Sequence, residues 1–219
     1  MVATMISRMI GTSAFSDRTE FSVSTAFLLS RYHYRRGVEF GKQGDPYGAA
    51  AEFRDAKRLD PFYAEAHQSL ADALIDQVNL GLNGQRLKEA IPELVHEYRE
   101  TIRLKPNAEA HYGLGIGLMF TGDVDRAISE FREAVRLRPD YYEAFDHLCV
   151  ALLGKGDLDG AIAARREKVR LRPGDIAELC QLGDLLKEKG DKKGAIVAYK
   201  EATLLDPENN RCQYDGLEH

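Results

Sequence analysis

The chain has 219 residues, of which 44 % are apolar and 30 % charged, and its net charge is −5. This is the composition of a folded, soluble chain rather than a low-complexity or fibrous one, and the acidic balance argues against a nucleic-acid partner, which is met through phosphates. The three cysteines, Cys149, Cys180 and Cys212, form neither an even framework nor a metal-ligand spacing, and the longest apolar run near the start, Ala26 to Leu29, is too short for a membrane span or a signal core, so a reducing, cytoplasmic setting is expected.

Residues 1–24 are rich in Ser and Thr and place Met5, Ile6, Met9 and Ile10 on one helical face. They are expected to be a tail, mobile or docked in a groove of the helical array that occupies 25–209. A first helix starting near Ser24 or Thr25 opens the array. The first unit, about 30–63, carries Gly37, Gly44-Asp45, Ala49, Phe53, Ala56 and Pro61, and Asp45-Pro46 suits a cap followed by a first-turn proline.

The second unit, about 64–107, is irregular: Pro61 to Pro106 spans 45 residues where later units take 34, an insertion of eleven near 76–90. Gly81 and Gly84 mark a turn there, and a surface loop is the expected form. Pro92 falls near the start of the second helix or kinks a longer one.

The three units 108–141, 142–175 and 176–209 are strictly periodic, with Pro139, Pro173 and Pro207 standing 34 residues apart. In the same frame recur Leu114, Leu148 and Leu182; Gly115, Cys149 and Gly183; Gly122-Asp123, Gly156-Asp157 and Gly190-Asp191; Ala127, Ala161 and Ala195; and Phe131, Arg165 and Tyr199. Each unit holds two apolar stretches at helical spacing, hence two helices. The glycine ends the first in a left-handed turn, the aspartate caps the second, and the proline stops it. Two helices cannot bury their apolar faces alone, so the units must stack. In the fourth unit Arg165 and Lys168 replace an aromatic and a small residue, and their stems are expected to cover apolar surface while the charges reach water.

On these residues the chain resembles the tetratricopeptide repeat (TPR) family, whose Leu-Gly, Ala, aromatic and Pro positions recur at this period. The resemblance implies an all-α, right-handed α-solenoid of five helix-turn-helix repeats. It also implies that the second, fifth, ninth and twelfth residues of each first helix face a concave groove. Those places hold Tyr34 and Val38; Gln68, Asp72 and Ile75; Glu109, Tyr112, Ile116 and Met119; Glu143, Asp146, Val150 and Leu153; and Asp184, together with Arg31, Glu65, Ala177, Cys180 and Lys187. Acids outnumber bases among them, so the expected ligand is a peptide with apolar anchors and Lys or Arg. Family members that grip the carboxylate tail of heat-shock chaperones use Lys and Asn in this groove; Tyr34 and Val38, Gln68 and Asp72, or Tyr112 and Ile116 stand there instead, which argues against that ligand.

Catalytic, metal and cofactor constellations are absent from the sequence. Gly113, Gly115 and Gly117 lack the preceding strand and the lysine of a phosphate loop and suit helix packing. His33, His67 and His111 occupy one place in three successive units, too far apart to share a metal ion, because stacked helices lie about 8–10 Å apart. The expected function is a non-catalytic scaffold or adaptor, with a self-assembling structural protein or the targeting subunit of an enzyme complex as alternatives. Residues 210–219 are a short tail in which Leu217-Glu218-His219 reads as a cloning remnant. Too short to form a capping helix, it is expected to leave Ile196, Tyr199 and Leu205 partly open, so that this end either pairs with another copy, giving a homo-oligomer through the last repeat, or is covered by further sequence.

Overall fold

A computed structural model describes residues 18–81 and 84–207, with side chains from residue 24 onward. The expectations for residues 1–17, for the tip of the insertion at 82–83, for Cys212 and for the C-terminal tail lie outside the described residues. Among these there are ten α-helices and no strand: α1 (Arg18–Lys42), α2 (Pro46–Leu59), α3 (Ala64–Asn79), α4 (Gly84–Leu104), α5 (Ala108–Thr121), α6 (Val124–Leu137), α7 (Tyr142–Gly154), α8 (Leu158–Leu171), α9 (Ile176–Glu188) and α10 (Lys192–Leu205). They stack as five helix pairs, each packed on the next, a helical repeat solenoid.

The turn inside each pair follows from two residues. Gly44, Gly122, Gly156 and Gly190 have φ of 74°, 79°, 75° and 86°, a left-handed conformation that a side chain disfavours. The aspartate that follows each one caps the next helix: Asp45 accepts from the Gly48 amide at 2.9 Å, Asp157 from Gly160 at 2.9 Å and Asp191 from Gly194 at 2.9 Å. Close approach of the two helices rests on another glycine. A Cβ at Gly37, Gly115 or Gly183 would come within 2.5, 2.5 and 2.3 Å of the rings of Phe53, Phe131 and Tyr199. Gly113 and Gly117 make the equivalent contacts across units, with Tyr98 and with Leu94 and Val95 of α4, so the glycine-rich stretch is a packing surface.

In the fourth unit the glycine-to-ring contact becomes Cys149 against Arg165, with Nη2 at 3.5 Å from Sγ. Here the expectation that Arg165 and Lys168 reach water fails, since both are buried, at 5 % and 3 % exposure. Arg165 enters the slot an aromatic fills elsewhere. It meets Glu178 of α9 at 2.5 Å and Asp146 of α7 at 3.2 Å, while Lys168 meets the same two at 2.7 and 2.6 Å. Tyr142 donates a further bond to Glu178 at 2.7 Å. Two cations and two carboxylates therefore neutralise one another between the fourth and fifth pairs, which is the condition for burying charge at all.

The first three pairs carry a different polar link. His33, His67 and His111 each face a glutamate of their own second helix, Glu52, Glu97 and Glu130, at 2.7, 2.6 and 2.6 Å. The histidines thus join helices within a unit. The corresponding pairs in the fourth and fifth units are Phe145 with Ala164 and Leu179 with Ala198, all buried.

Among the described residues the insertion is mostly helical, with 76–79 ending α3 and 84–90 opening α4. α3 has 16 residues and α4 has 21, where the first and second helices of the third unit have 14 each. Pro92 lies inside α4 on its exposed side, where water can take the carbonyl bond that proline removes. α1 likewise begins at Arg18, earlier than expected. At the other end Tyr199 is buried at 2 % rather than open, Ile196 is half-buried, and Leu205 is exposed, with Val197 and Leu204 more so. Cys149 is a buried free thiol.

Candidate functional site

First helices form the inner side of the stack: α3 touches α5 and α5 touches α7 across units, while no second helix makes a comparable contact with the next second helix. α5 shows how the sequence produces an open inner face. Its glycines at 113 and 117 admit α4, and Gly115 admits Phe131 of α6. The remaining face, with Glu109, Tyr112, Ile116 and Phe120 at helical spacing, is left to the trough. On α3 the matching face carries Gln68, Asp72, Ile75, Asp76 and Asn79.

Between these faces lies a cavity of about 510 Å³. It brings together six of the residues expected in the groove, Gln68, Asp72, Ile75, Glu109, Tyr112 and Ile116, and adds Asp76, Asn79, Tyr98, Gly113, Phe120, Tyr141 and His147. The other expected residues lie elsewhere. Tyr34 is half-buried against Phe53 and Tyr63, with ring centroids at 5.6 and 4.9 Å, and Val38 and Met119 pack against the core. Glu143 is exposed, as are Val150 at 51 % and Leu153 at 38 %. Asp146 belongs to the buried ion cluster, and Asp184 accepts from the Tyr199 hydroxyl at 2.6 Å.

Tyr112 forms the hard wall of the cavity. Its ring lies 4.9 Å from that of Tyr141 and 5.3 Å edge-on from His147, and burial pushes its hydroxyl up to about 12, with Glu143 and Asp146 adding to the effect. Tyr98 reaches the floor from α4 beneath Gly113 and donates to Asp72 at 2.6 Å. Asn107 caps α5 through the Ala110 amide at 2.8 Å and donates to Gln68 at 3.1 Å, which holds that amide in place.

Charge in the trough is less uniform than the residue types suggest. Glu65 is paired with Lys105 at 2.8 Å and Glu109 with Arg138 at 3.0 Å, and Asp146 is neutralised by Arg165 and Lys168. Asp72 and Asp76, one turn apart on α3, face no basic side chain among the described residues. The outer surface of Asp72 is wetted, but the trough walls displace much of the water around its carboxyl. That loss pushes it up to about 6, Asp76 and Glu109 add to the rise, and the Tyr98 hydroxyl opposes it.

Phe120, Asp76 and Asn79 escape the sequence reading because they lie beyond the twelfth helical place, the last two on the lengthened α3. Tyr98 had a signal. Where the second helix carries tyrosine, the ninth place of the first helix is aspartate, Tyr98 with Asp72 and Tyr199 with Asp184. Where it carries phenylalanine, the ninth place is aliphatic, Phe53 with Val38 and Phe131 with Ile116.

A stack of helix pairs with an aromatic and acidic trough between its first helices defines a protein–protein interaction scaffold. Models of the tetratricopeptide repeat match residues 112–176 and 179–209, so this stretch is built of tetratricopeptide repeats. Among solved structures it is similar to the MamA protein, with a TM-score of 0.70 and 22 % identity over 82 % of this chain and 93 % of that one. It is also similar to YrrB, described as a TPR protein with an unusual peptide-binding site (TM-score 0.64, 19 % identity, 82 % and 88 % covered), and to PilF of Pseudomonas aeruginosa (0.61, 20 %, 87 % and 81 %). At these identities the likeness concerns the fold. No curated protein matches the sequence.

Proposed function

We propose that the chain binds a peptide segment of a partner protein in the trough between α3 and α5, without chemistry of its own. The observation that carries this reading is the 510 Å³ cavity, in which Ile75, Tyr112, Ile116 and Phe120 offer apolar surface beside the uncompensated carboxylates of Asp72 and Asp76. Apolar side chains of the ligand supply affinity, and a Lys or Arg opposite the two aspartates supplies orientation and rate. The peptide-binding site named for YrrB supports the same use of the fold here.

Peptides selected from a random display library on the full chain test this. Their affinities, measured on the parent and on Phe120→Ala and Asp76→Lys, should fall by about tenfold or more in each variant, since a buried aromatic is worth about 1.5–3 kcal/mol. Phe120 is 51 % exposed, so its removal leaves the stack folded. Equal binding to all three proteins refutes the site.

A second reading has its own observation. Val197, Leu204 and Leu205 of α10 are 64 %, 83 % and 50 % exposed, an apolar surface where a following unit would pack. Self-association through this end predicts a mass that grows with concentration in light scattering and stays monomeric in Leu204→Asp.

A further inference from the structure

A second cavity lies on the other side of α3. Its volume is about 430 Å³, and Pro46, Ala49 and Phe53 of α2 with Ala73 and Leu80 supply its apolar lining. It exists because α1 and α3 are not in close contact as α3 and α5 are, and because Gly41 and Gly44 project no side chain into the gap. Asp72, Asp76 and Asn79 border both cavities. The exposed edge of α3 is therefore an acidic ridge between two apolar-floored hollows.

We infer that the two hollows take one ligand: a helical segment with an apolar side chain at i and another at i+7, and Lys or Arg at i+3 or i+4. This rests on the reading that the α3–α5 cavity holds part of that ligand. A helix with its side chains is about 10–12 Å across, so hollows on either side of α3 are separated by about that width. Seven residues of helix rise about 10.5 Å and return to nearly the same face. The residue midway between the anchors then meets Asp72 and Asp76. The groups that set the Asp72 carboxyl, Tyr98 of α4, Asp76 of α3 and Glu109 of α5, are neutral or anionic; His147 of α7 lines the same cavity but forms no ion pair with Asp72 or Asp76, and the cation they lack is what the ligand brings. An acidic or uncharged segment would leave the two carboxylates desolvated and unpaired, at a cost.

Fluorescein-labelled synthetic peptides in one alanine-rich helical frame decide the point by anisotropy on the full chain. The parent peptide has leucine at i and i+7 and lysine at i+3. Changing one leucine to serine, or lysine to glutamate, should weaken binding by about tenfold or more. Gly41→Phe fills the second hollow, since a Cβ there meets nothing within 4 Å, and should reduce the parent peptide to the affinity of its one-leucine version. Leu80→Asp, at a position 68 % exposed, repeats that test without adding volume, should Gly41→Phe melt early. If both variants bind like the parent protein while Phe120→Ala weakens binding, the second hollow is not used, yet the trough reading stands. If Phe120→Ala also has no effect, or the glutamate peptide binds as well as the lysine one, both readings fall. Tighter binding of a peptide with leucines at i and i+4 overturns the two-hollow geometry.

Discussion

Removing the carboxylate of Glu178 is the sharpest test of how the fourth and fifth pairs are joined. Glu178→Ala leaves Arg165 and Lys168, both buried, sharing Asp146 alone. Breaking a buried pair from one side costs about 3–5 kcal/mol, because a desolvated charge is left behind. The loss should be local: in a stack whose stability is a sum of units and interfaces, α9 and α10 should lose hydrogen-exchange protection while α3 to α6 keep theirs. Restoring the pattern of the other units is the counter-experiment. Cys149→Gly with Arg165→Phe, Lys168→Ala and Glu178→Ala returns the glycine-to-ring contact, with phenylalanine because the ninth place of α7 is the aliphatic Val150, and removes the ions together, including the buried Arg165 Nε that has no partner. Exchange of buried ions for packed apolar groups is neutral or stabilising by about 1–4 kcal/mol, so urea melts should place this variant at or above the parent. The cysteine and arginine changes must be coupled, as a ring beside Cys149 lacks the room it has beside Gly115 or Gly183. The reasoning is refuted if Glu178→Ala costs under about 1 kcal/mol or if protection is lost evenly along the chain.

Other expectations follow from the same geometry. Burial works against the Glu178 charge, but Lys168, Arg165 and Tyr142 overcome it and hold its carboxyl below the usual value; its contribution is present above about pH 4.3 and lost as pH falls through the lowered native value, so the last pair should open first in acid titration followed by hydrogen exchange. His67 donates to Glu97 through Nδ1 and to the Pro61 carbonyl through Nε2, at 2.6 and 3.0 Å, which requires the doubly protonated ring. The bond to Glu97 raises its pKa against the effect of burial, so its stabilisation is complete below about pH 6.5 and disappears as pH rises through the native value; NMR titration of the ring finding a value at or below that of a free histidine would contradict this. Asp72, pushed up to about 6, should make a lysine-bearing peptide bind more tightly at pH 7 than at pH 5, and Asp72→Asn should flatten that profile. Gly156→Ala, at φ 75°, should cost about 1–2 kcal/mol, whereas Gly154→Ala, at the last residue of α7 with open space around it, should stabilise by about 0.5 kcal/mol in paired thermal melts.

Much of the solenoid was legible because its rules are local. Gly122-Asp123 or Gly156-Asp157 turns the chain through the conformation of those two residues, and the ring at Phe131 needs the glycine at Gly115 wherever the pair occurs. The insertion was misread for the opposite reason. Residues 76–90 contain turn formers, but added residues that continue helical bonding satisfy their own backbone groups, and α4 lengthens instead of looping. The trough was half legible. Six residues placed by helical position line the α3–α5 cavity, while Tyr34, Val38 and Met119 lie outside it, and Tyr98, Tyr141 and His147 arrive from other elements.

The sequence by itself determined the period, the helix pairs, their caps and the side of each helix that packs, since all of these depend on residues a few positions apart. Which charges stay available was decided only by the tertiary structure. Asp146 reads like Asp72 along the chain, yet one is neutralised by Arg165 and Lys168 and the other accepts from Tyr98 beside further carboxylates, without an ion pair. The difference is made by side chains reaching across from other helices, and a Coulomb interaction depends on distance in space, whatever the separation along the chain.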